Sequence, residues 1–369
     1  MNFENQFSLP ERLLHRFAFR TTFSQLMLAD FEEILFRDLL DSVEMKSPVF
    51  ITGLPRAGTT ILLQLLVESG GFASSTYRDM PYPLCPLLWS RIARSITVER
   101  EPRERAHGDG LYISTDSPEA FEEMAWKRFW PEHYASDRIR PWSESDSSDE
   151  FDSFFRGHMR RVIAVRQRET NRKLRYVSKN NVNIARITCG ESAMTGGLLL
   201  IPFRDPLQHA FSLLRQHRRF LRLQEEDSFV LRYMEGIGHH DFGRGLRPID
   251  FGGWFDPSMD SLSLDFWLQY WTAAYRAVLE SLSPRVFLFS LEDLMRQPRD
   301  TLSMIAHHVK CDEDAIVSLS KKVRAPRPHH VPSDQLEWRR VQEAREVHSE
   351  LVNASRACPP ETATDATSE

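Results

Sequence analysis

Cysteine is scarce in this chain of 369 residues, and its four cysteines lie far apart, without the spacing of a zinc site or a disulfide framework. Long apolar runs are also missing, since none approaches the roughly 18 residues that a membrane span requires. The N-terminal stretch MNFENQFSLPERLLHRF contains no apolar core of a secretion signal. We therefore expect a protein without a membrane span, located in the cytoplasm.

Neither sign of charge predominates. The chain has 47 lysines and arginines against 52 aspartates and glutamates, which gives a formal net charge of −5. This balance excludes the broad basic surface of a nucleic-acid-binding protein, so we expect no nucleic-acid partner. Hydrophobic residues make up 41% and charged residues 27%, as in ordinary globular domains. A wholly disordered chain is excluded, whereas the oligomeric state is left open.

Segments typical of strands alternate with segments typical of helices. Helical apolar spacing predicts two amphipathic helices within residues 11–45. Strands are predicted at 48–52, 174–178, 197–203 and 285–290, and helices at 61–67, after Pro206 and at 264–279. This alternation favours an α/β fold with a parallel sheet flanked by helices. We expect one domain over residues 1–355, with a helical insertion at 72–170, and a disordered tail at 356–369.

The sharpest motif is Gly53-Leu54-Pro55-Arg56-Ala57-Gly58-Thr59-Thr60, between an apolar strand and an apolar helix. Small residues, consecutive backbone N–H groups and a helix N-terminus are what a nucleotide phosphate requires. The segment resembles the P-loop pattern G-x-x-x-x-G-K-[ST], but Thr59 stands in place of the lysine that reaches the β- and γ-phosphates. Arg56 is the nearest cation. The alternative is an ordinary glycine turn before a core helix.

A second candidate anion site follows the buried strand at 197–203. Arg204 stands where this strand ends, and Ser212 follows eight residues later, about two turns into the next helix. Arginine at the carboxyl edge of a sheet lies where open α/β folds bind ligands, and its guanidinium can hold a phosphate with two hydrogen bonds. The alternative is a surface pair between Arg204 and Asp205 that caps the helix.

Together, a loop of the form G-x-P-R-[SA]-G-T-T and a later R-D-P-x-x-x-x-x-S resemble the sulfotransferases that use 3′-phosphoadenosine 5′-phosphosulfate (PAPS). The match is to the branch with arginine in the loop, like the tyrosylprotein type. The resemblance implies transfer of a sulfuryl group to a hydroxyl, less often an amine, of a small molecule, glycan or lipid, without a metal. It implies that the 5′-phosphosulfate is held by Arg56, Ala57, Gly58, Thr59 and Thr60, and the 3′-phosphate by Arg204 and Ser212. The insertion at 72–170 would then shape the acceptor pocket.

The resemblance also suggests catalytic residues. Asp79 lies about twenty residues after the loop, near the interval at which the arginine-loop branch places an acidic catalytic residue, usually glutamate. Lys179, after the strand at 174–178, is similar to the lysine or polar residue that related enzymes place beside the transferring group, and Arg56 would neutralise the leaving phosphate. The alternatives are that Asp79 pairs with Arg78 or caps a turn, and that Lys179 is a surface lysine. Rival acid–base groups are Glu122 and Glu123, expected on a helix surface, and His107.

Histidine doublets at 239–240, 307–308 and 329–330 do not indicate a metal, because no carboxylate or cysteine completes a ligand set at metal spacing. His240, in a glycine-rich loop, is a candidate for contact with the acceptor. Arg324 and Arg327 belong to a late basic stretch, and related enzymes cover the nucleotide with such a stretch; a solvated run of charge is the alternative.

Two other functions remain open. One is an atypical P-loop kinase or NTPase, which predicts Mg²⁺-dependent ATP binding. The other is a protein that binds PAPS, or its product 3′-phosphoadenosine 5′-phosphate (PAP), without catalysing transfer.

Overall fold

The computed structural model describes residues 9–96, 103–104, 112–119, 121–189, 194, 196–324, 328–332 and 336–357. His107, Arg327 and the tail from Cys358 onward lie outside these residues. Within the described ranges, no helix is long and apolar enough to cross a bilayer.

The secondary structure of the described residues alternates between strands and helices. The helices are α1 (Leu9–Arg20), α2 (Thr22–Leu35), α3 (Arg37–Asp41), α4 (Thr59–Glu68), α5 (Pro86–Ile96), α6 (Glu123–Phe129), α7 (Asp149–Thr170), α8 (Pro206–Glu226), α9 (Ser228–Ile237), α10 (Leu264–Glu280), α11 (Leu291–Arg296), α12 (Pro298–Val309), α13 (Glu313–Ser318) and α14 (Trp338–Ala357). The strands are β1 (Val49–Ile51), β2 (Phe72–Ala73), β3 (Arg103–Glu104), β4 (Tyr112–Ile113), β5 (Arg175–Lys179), β6 (Leu198–Phe203) and β7 (Val286–Ser290).

Five strands form one parallel sheet in the order β2-β5-β1-β6-β7, and β3 pairs with β4 in a separate antiparallel hairpin. Every residue of β1 and β7 is buried. Apolar strands buried on both faces are typical of parallel sheets that helices cover. The expected α/β fold, with a parallel sheet flanked by helices, is confirmed.

Successive side chains of β1 point to opposite faces of the sheet and enter two apolar cores. Val49 and Ile51 pack with residues of α4, α11, α12 and α13. Phe50 packs on the other face with residues of α7, α8, α10 and α14. The sheet is therefore the middle of three layers, and both cores hold its strands in place.

The register of the sheet brings the predicted motifs to one edge. Ile51 of β1 lies opposite Lys179 of β5 and Leu200 of β6. Because the strands are parallel, the loop from Gly53, the residues after Lys179 and the residue after Phe203 all follow the carboxyl ends of adjacent strands. This is the edge at which open α/β sheets bind ligands.

The helix expected after Pro206 begins as predicted, and the side chain of Asp205 caps it by accepting from the backbone N–H of Gln208 at 2.8 Å. Two amphipathic helices are expected within 11–45, whereas the structure has three, α1, α2 and α3. Sequence patterns did not predict β2, β3, β4, α9 or α11 to α14; β2 has only two residues, which is too short for a periodic signal.

Candidate active site

The phosphate loop joins β1 to α4 through backbone conformations that side chains rarely adopt. Gly53 has φ of 142°, Arg56 of 75° and Gly58 of 91°. A Cβ at Gly58 would lie 2.6 Å from Cδ1 of Leu291, so only glycine fits. Of these three residues, only Arg56 has a side chain. Its left-handed backbone conformation costs about 1–3 kcal/mol. Such strain persists where the surrounding structure fixes the loop.

The rest of the predicted loop is buried and leads into the helix. Ala57 is fully buried, and Thr59 and Thr60 form the first turn of α4 with 3% and 9% of their surface exposed. The first N–H groups of a helix have no partner within it, and the helix dipole favours an anion there. The loop therefore presents backbone donors at the carboxyl edge of the sheet.

His209, which was not predicted from the sequence, is hydrogen-bonded to this loop. The indole N–H of Trp271 donates to Nδ1 of His209 at 3.1 Å, so the proton of the imidazole is on Nε2. Nε2 in turn donates to the carbonyl of Pro55 at 2.8 Å. Burial, together with the charges of Arg204 and Arg56, lowers the pKa of His209 to about 3, which keeps the ring neutral. No spacing in the sequence signalled this contact.

The second predicted anion site adjoins the first. Arg204, directly after β6, is 6% exposed, and its Nε lies 3.8 Å from a carboxylate oxygen of Glu292. Ser212 on α8 accepts from Nε of Arg56 at 3.4 Å. Burial and, more weakly, the charge of Arg56 lower the pKa of Arg204. The structure thus brings Arg56, Arg204 and Ser212 together at one place.

Residues 328–332, which follow the late basic stretch, contact α8 through His329. The side-chain amide of Gln208 donates to the carbonyl of His329 at 2.8 Å, and its oxygen accepts from the N–H of His329 at 2.9 Å. Arg215 donates to Nδ1 of His329 at 2.8 Å. Burial and the charges of Arg215, Arg204 and Arg56 lower the pKa of this histidine. Arg324, one of the two arginines predicted for this role, is exposed.

Lys179 ends β5 beside the phosphate loop and is 8% exposed. Its Nζ lies 3.7 Å from Glu119, whose other oxygen accepts from the hydroxyl of Tyr77 at 3.1 Å. Asn181 links this region to the loop, because its Oδ1 accepts from the hydroxyl of Thr59 at 3.5 Å. Its Nδ2 donates to Asp241 at 3.3 Å. One network of polar side chains therefore runs from the loop past the end of β5.

The charges of this network act on His239, whose neighbour His240 was the residue predicted from the sequence. Burial and the charge of Lys179 lower the pKa of His239, while the carboxylates of Glu119 and Asp241 oppose this shift. Burial raises the pKa of Asp241. His240, the predicted acceptor contact, is 2% exposed, and its Nδ1 is bonded to the carbonyl of Gly245 at 3.1 Å. The acceptor contact of His240 stays a prediction, and only the fold shows that the charge of Lys179 acts on His239.

Asp79 lies in a buried ion pair. Its carboxylate accepts from Nη2 of Arg166 with both oxygens, and one oxygen also accepts from the backbone N–H of Thr76 at 2.7 Å. Asp79 is 2% exposed. Of the two alternatives, the pair with Arg78 does not form, because Arg78 donates to Asp116 instead. The other is confirmed, because Asp79 and Thr76 form a capping box at the start of a short 3-10 helix, Tyr77–Asp79.

The surface position expected for Glu122 and Glu123 is wrong: both are 2% exposed. Buried carboxylates require charged or hydrogen-bonding partners, and these have both. Glu122 accepts from Ser178 at 2.7 Å and from Tyr176 at 2.8 Å, and the pKa of Glu122 is raised by burial.

Glu123 holds the residues that follow β5. It accepts from Nδ2 of Asn180 at 2.7 Å and pairs with Arg186 at 2.9 Å. The guanidinium of Arg186 lies between Trp126 and Trp142, at 4.0 and 4.3 Å from the ring centres. This buried assembly positions Asn180, and through the chain its neighbours Lys179 and Asn181. Among the residues that the structure describes, no group of three or more histidine, cysteine or carboxylate side chains could hold a metal.

No protein-family model and no curated protein matches the sequence. The fold is similar to solved structures that include the following sulfotransferases. A sulfotransferase from Mycobacterium avium is 15% identical, with 90% of this chain and 82% of that chain covered and a TM-score of 0.43. One from Mycobacterium tuberculosis is 12% identical, with 88% and 81% covered and a TM-score of 0.40. The sulfotransferase domain of the curacin biosynthetic pathway is 14% identical, with 84% and 99% covered and a TM-score of 0.36.

Proposed function

We propose that this protein is a sulfotransferase that moves the sulfuryl group of PAPS to the hydroxyl of an acceptor molecule. The observation that carries the proposal is the contact between Arg56 of the phosphate loop and Ser212 of α8, with Arg204 beside them. It joins two anion sites, and PAPS has two phosphate-bearing ends, one at the 5′ and one at the 3′ position of the same nucleotide.

Different residues would hold the 5′ and 3′ ends of the nucleotide. The backbone N–H groups from Arg56 to Thr60 and the start of α4 would hold the 5′-phosphosulfate. The buried guanidinium of Arg204 and the hydroxyl of Ser212 would hold the 3′-phosphate. Burial and the charge of Arg56 lower the pKa of Arg204, so an anion bound between the two arginines would stabilise their charges.

Transfer forms a bond between the acceptor oxygen and sulfur and breaks the bond between sulfur and the 5′-phosphate oxygen. That oxygen keeps the electron pair, and the acceptor proton passes to a base. The protein therefore has to position both substrates and stabilise charge. We assign charge stabilisation on the leaving phosphate to Arg56 and on the transferring group to Lys179, which the pairing of β1 with β5 places beside the loop.

Two residues compete for the role of base. Asp79 is the candidate from the sequence, but its oxygens are engaged by Arg166 and by the backbone of Thr76. His239 has a lowered pKa and is therefore neutral near pH 7, as a base must be. The carboxylates of Glu119 and Asp241 would stabilise the imidazolium that forms. The charges around His239 favour it over Asp79, whose oxygens are already engaged.

A kinetic comparison separates the two candidates. PAP release from PAPS is measured with a panel of phenols and alcohols, for His239→Asn and for Asp79→Asn. We expect His239→Asn to lower kcat by about 10²–10⁴-fold and to leave the affinity for PAP unchanged. Asp79→Asn should reduce stability and change kcat much less. The reverse pattern returns the role of base to Asp79.

Nucleotide binding tests the proposal itself. Calorimetry compares PAP, ADP and ATP–Mg²⁺ on the wild type and on Arg204→Ala, with Arg276→Ala as a matched control at an exposed ion pair. We expect PAP to bind without metal and ADP more weakly. Arg204→Ala should remove that difference, which a charged hydrogen bond of ~1.5–3 kcal/mol makes roughly ten- to a hundredfold.

Two outcomes would redirect the assignment. Preferential binding of ATP–Mg²⁺ would favour the kinase or NTPase alternative, which the missing P-loop lysine already disfavours. Tight PAP binding with no transfer to any acceptor, and no effect of His239→Asn or Lys179→Ala on PAPS turnover, would favour a protein that only binds the nucleotide.

A further inference from the structure

Helix α2 turns its apolar side to the solvent. Six large apolar side chains on it are well exposed: Phe23 60%, Met27 55%, Leu28 37%, Phe31 51%, Ile34 67% and Leu35 50%. At about 100° per residue they lie within an arc of roughly 140°. They form one stripe along the helix, which we call the α2 face.

The opposite side of the same helix is buried and includes two polar residues beside Ala29. Gln25 and Glu32 are fully buried. Glu32 accepts from the backbone N–H of Leu88, and Nε of Arg161 lies 3.5 Å from it. A surface helix of a globular protein normally has the reverse arrangement, with its apolar stripe against the core. The periodicity in the sequence predicted the helix correctly, but it could not show which side is buried.

The α2 face is large enough for a stable interface. With roughly 200 Å² for a full side chain of this size, its six residues expose about 600 Å² of apolar surface. That is the upper end of the largest patches on ordinary monomers, roughly 300–600 Å². Leu13 and Phe17 on the adjoining α1 are also exposed and bring the area to about 900 Å². One partner of a standard protein interface buries about 800 Å².

Charges at the two ends of the face are complementary to each other. Arg16 and Arg20 are exposed at the end of α1 that leads into α2. Beyond the other end, α3 exposes Asp38 and Asp41 together with Arg37, which leaves this end with a net negative charge. A two-fold axis that pairs α2 with its own copy in antiparallel fashion brings the basic end of each chain to the acidic end of the other. An anionic membrane would attract one end and repel the other.

From this inverted apolar stripe and its oppositely charged ends, we propose that the α2 face binds a second copy of this chain in a two-fold, antiparallel dimer. The axis passes between Met27 and Phe31. Phe23 then lies opposite the end of α2 in the copy, and Arg20 lies opposite Asp38 of the partner subunit. This proposal is independent of the sulfotransferase assignment.

The test measures mass in solution on the full chain, by sedimentation and by light scattering, over a wide range of concentration. We expect the wild type at twice the 43.0 kDa of one chain. A variant with Phe31→Glu and Ile34→Glu should raise the dimer dissociation constant by about a hundredfold or more, because each charge would be desolvated at the interface. Its circular dichroism should be unchanged. The matched control is Met304→Glu, at a side chain 38% exposed on α12, which should remain dimeric.

A wild type with the mass of one chain at every concentration overturns the proposal. So does co-sedimentation of a monomer with vesicles of phosphatidylcholine and phosphatidylserine that Phe31→Glu and Ile34→Glu abolish, since a membrane is then the occupant. The antiparallel alignment has its own test. Arg20→Glu should weaken the dimer, and Arg20→Glu combined with Asp38→Arg should restore it; absence of restoration overturns the alignment.

Discussion

Replacing Gly58 by alanine should destabilise the phosphate loop more than adding a methyl group at any neighbouring position. The native φ of 91° places residue 58 in the left-handed region, which costs an L-residue roughly 1–2 kcal/mol. The new Cβ would also lie 2.6 Å from Cδ1 of Leu291, a side chain 3% exposed in the core. Overpacking of this kind costs about 1–3 kcal/mol. Together we expect Gly58→Ala to lower the free energy of unfolding by about 2–5 kcal/mol.

Urea unfolding measures this loss, and calorimetric titration with PAP measures its effect on the site. The matched control is Gly71→Ala, three residues beyond the end of α4, where an added Cβ meets nothing within 4 Å. That variant should change stability by less than about 1 kcal/mol and should leave PAP binding intact. Because Gly58 directly precedes the first turn of α4, its variant should weaken PAP binding beyond what the loss of stability explains.

The prediction for Gly58→Ala is contradicted if the variant unfolds like the wild type and binds PAP with the same affinity. Such a result would mean that the loop tolerates a different backbone conformation, and that the strain at Arg56 does not serve a fixed anion site. Equal damage from Gly58→Ala and Gly71→Ala would refute it as well, because only the first position combines a left-handed φ with a close neighbour.

Two further predictions concern the residues behind the site. His209 titrates near 6.5 when unfolded but near 3 in the folded chain, so its contribution to stability is complete above pH 6.5 and is lost as the pH falls toward 3. His209→Gln should therefore flatten the acid side of the pH–stability curve, measured by urea unfolding, and an unchanged slope would contradict this role. Glu123→Gln should leave Arg186 buried without its countercharge and lower the free energy of unfolding by about 3–5 kcal/mol. Glu343→Gln, at the exposed pair with Arg276, should lower the free energy of unfolding by less than about 1 kcal/mol. Equal losses in the two variants would show that the buried pair contributes no more to stability than the exposed one.

Short-range signals in the sequence were sufficient to predict the backbone structure of the motifs. The glycines at 53 and 58, the apolar strand before them and the helix after them predicted the phosphate loop, because each residue type has a backbone reason to be there. Pro206 and Asp205 similarly predicted the start of α8, since a capping side chain and a fixed φ act within one turn. The Arg56–Ser212 contact followed only from the fold, because these residues are 156 positions apart in the chain.

Long-range packing decided what the motifs left open. The acidic pair Glu122-Glu123 reads as a solvated helix surface in the sequence, but β5 and Arg186 surround it in the fold. The same holds for His239, whose neighbours Lys179 and Glu119 come from distant segments.

The sequence by itself determined the alternation of strands and helices and the strand, loop and helix that carry the predicted phosphate site, since these depend on neighbours a few residues away. Only the tertiary structure decided which charged groups are buried together and which apolar side of α2 is left in solvent. Burial and charge pairing depend on segments that are distant along the chain, and periodicity within one helix does not specify what packs against it.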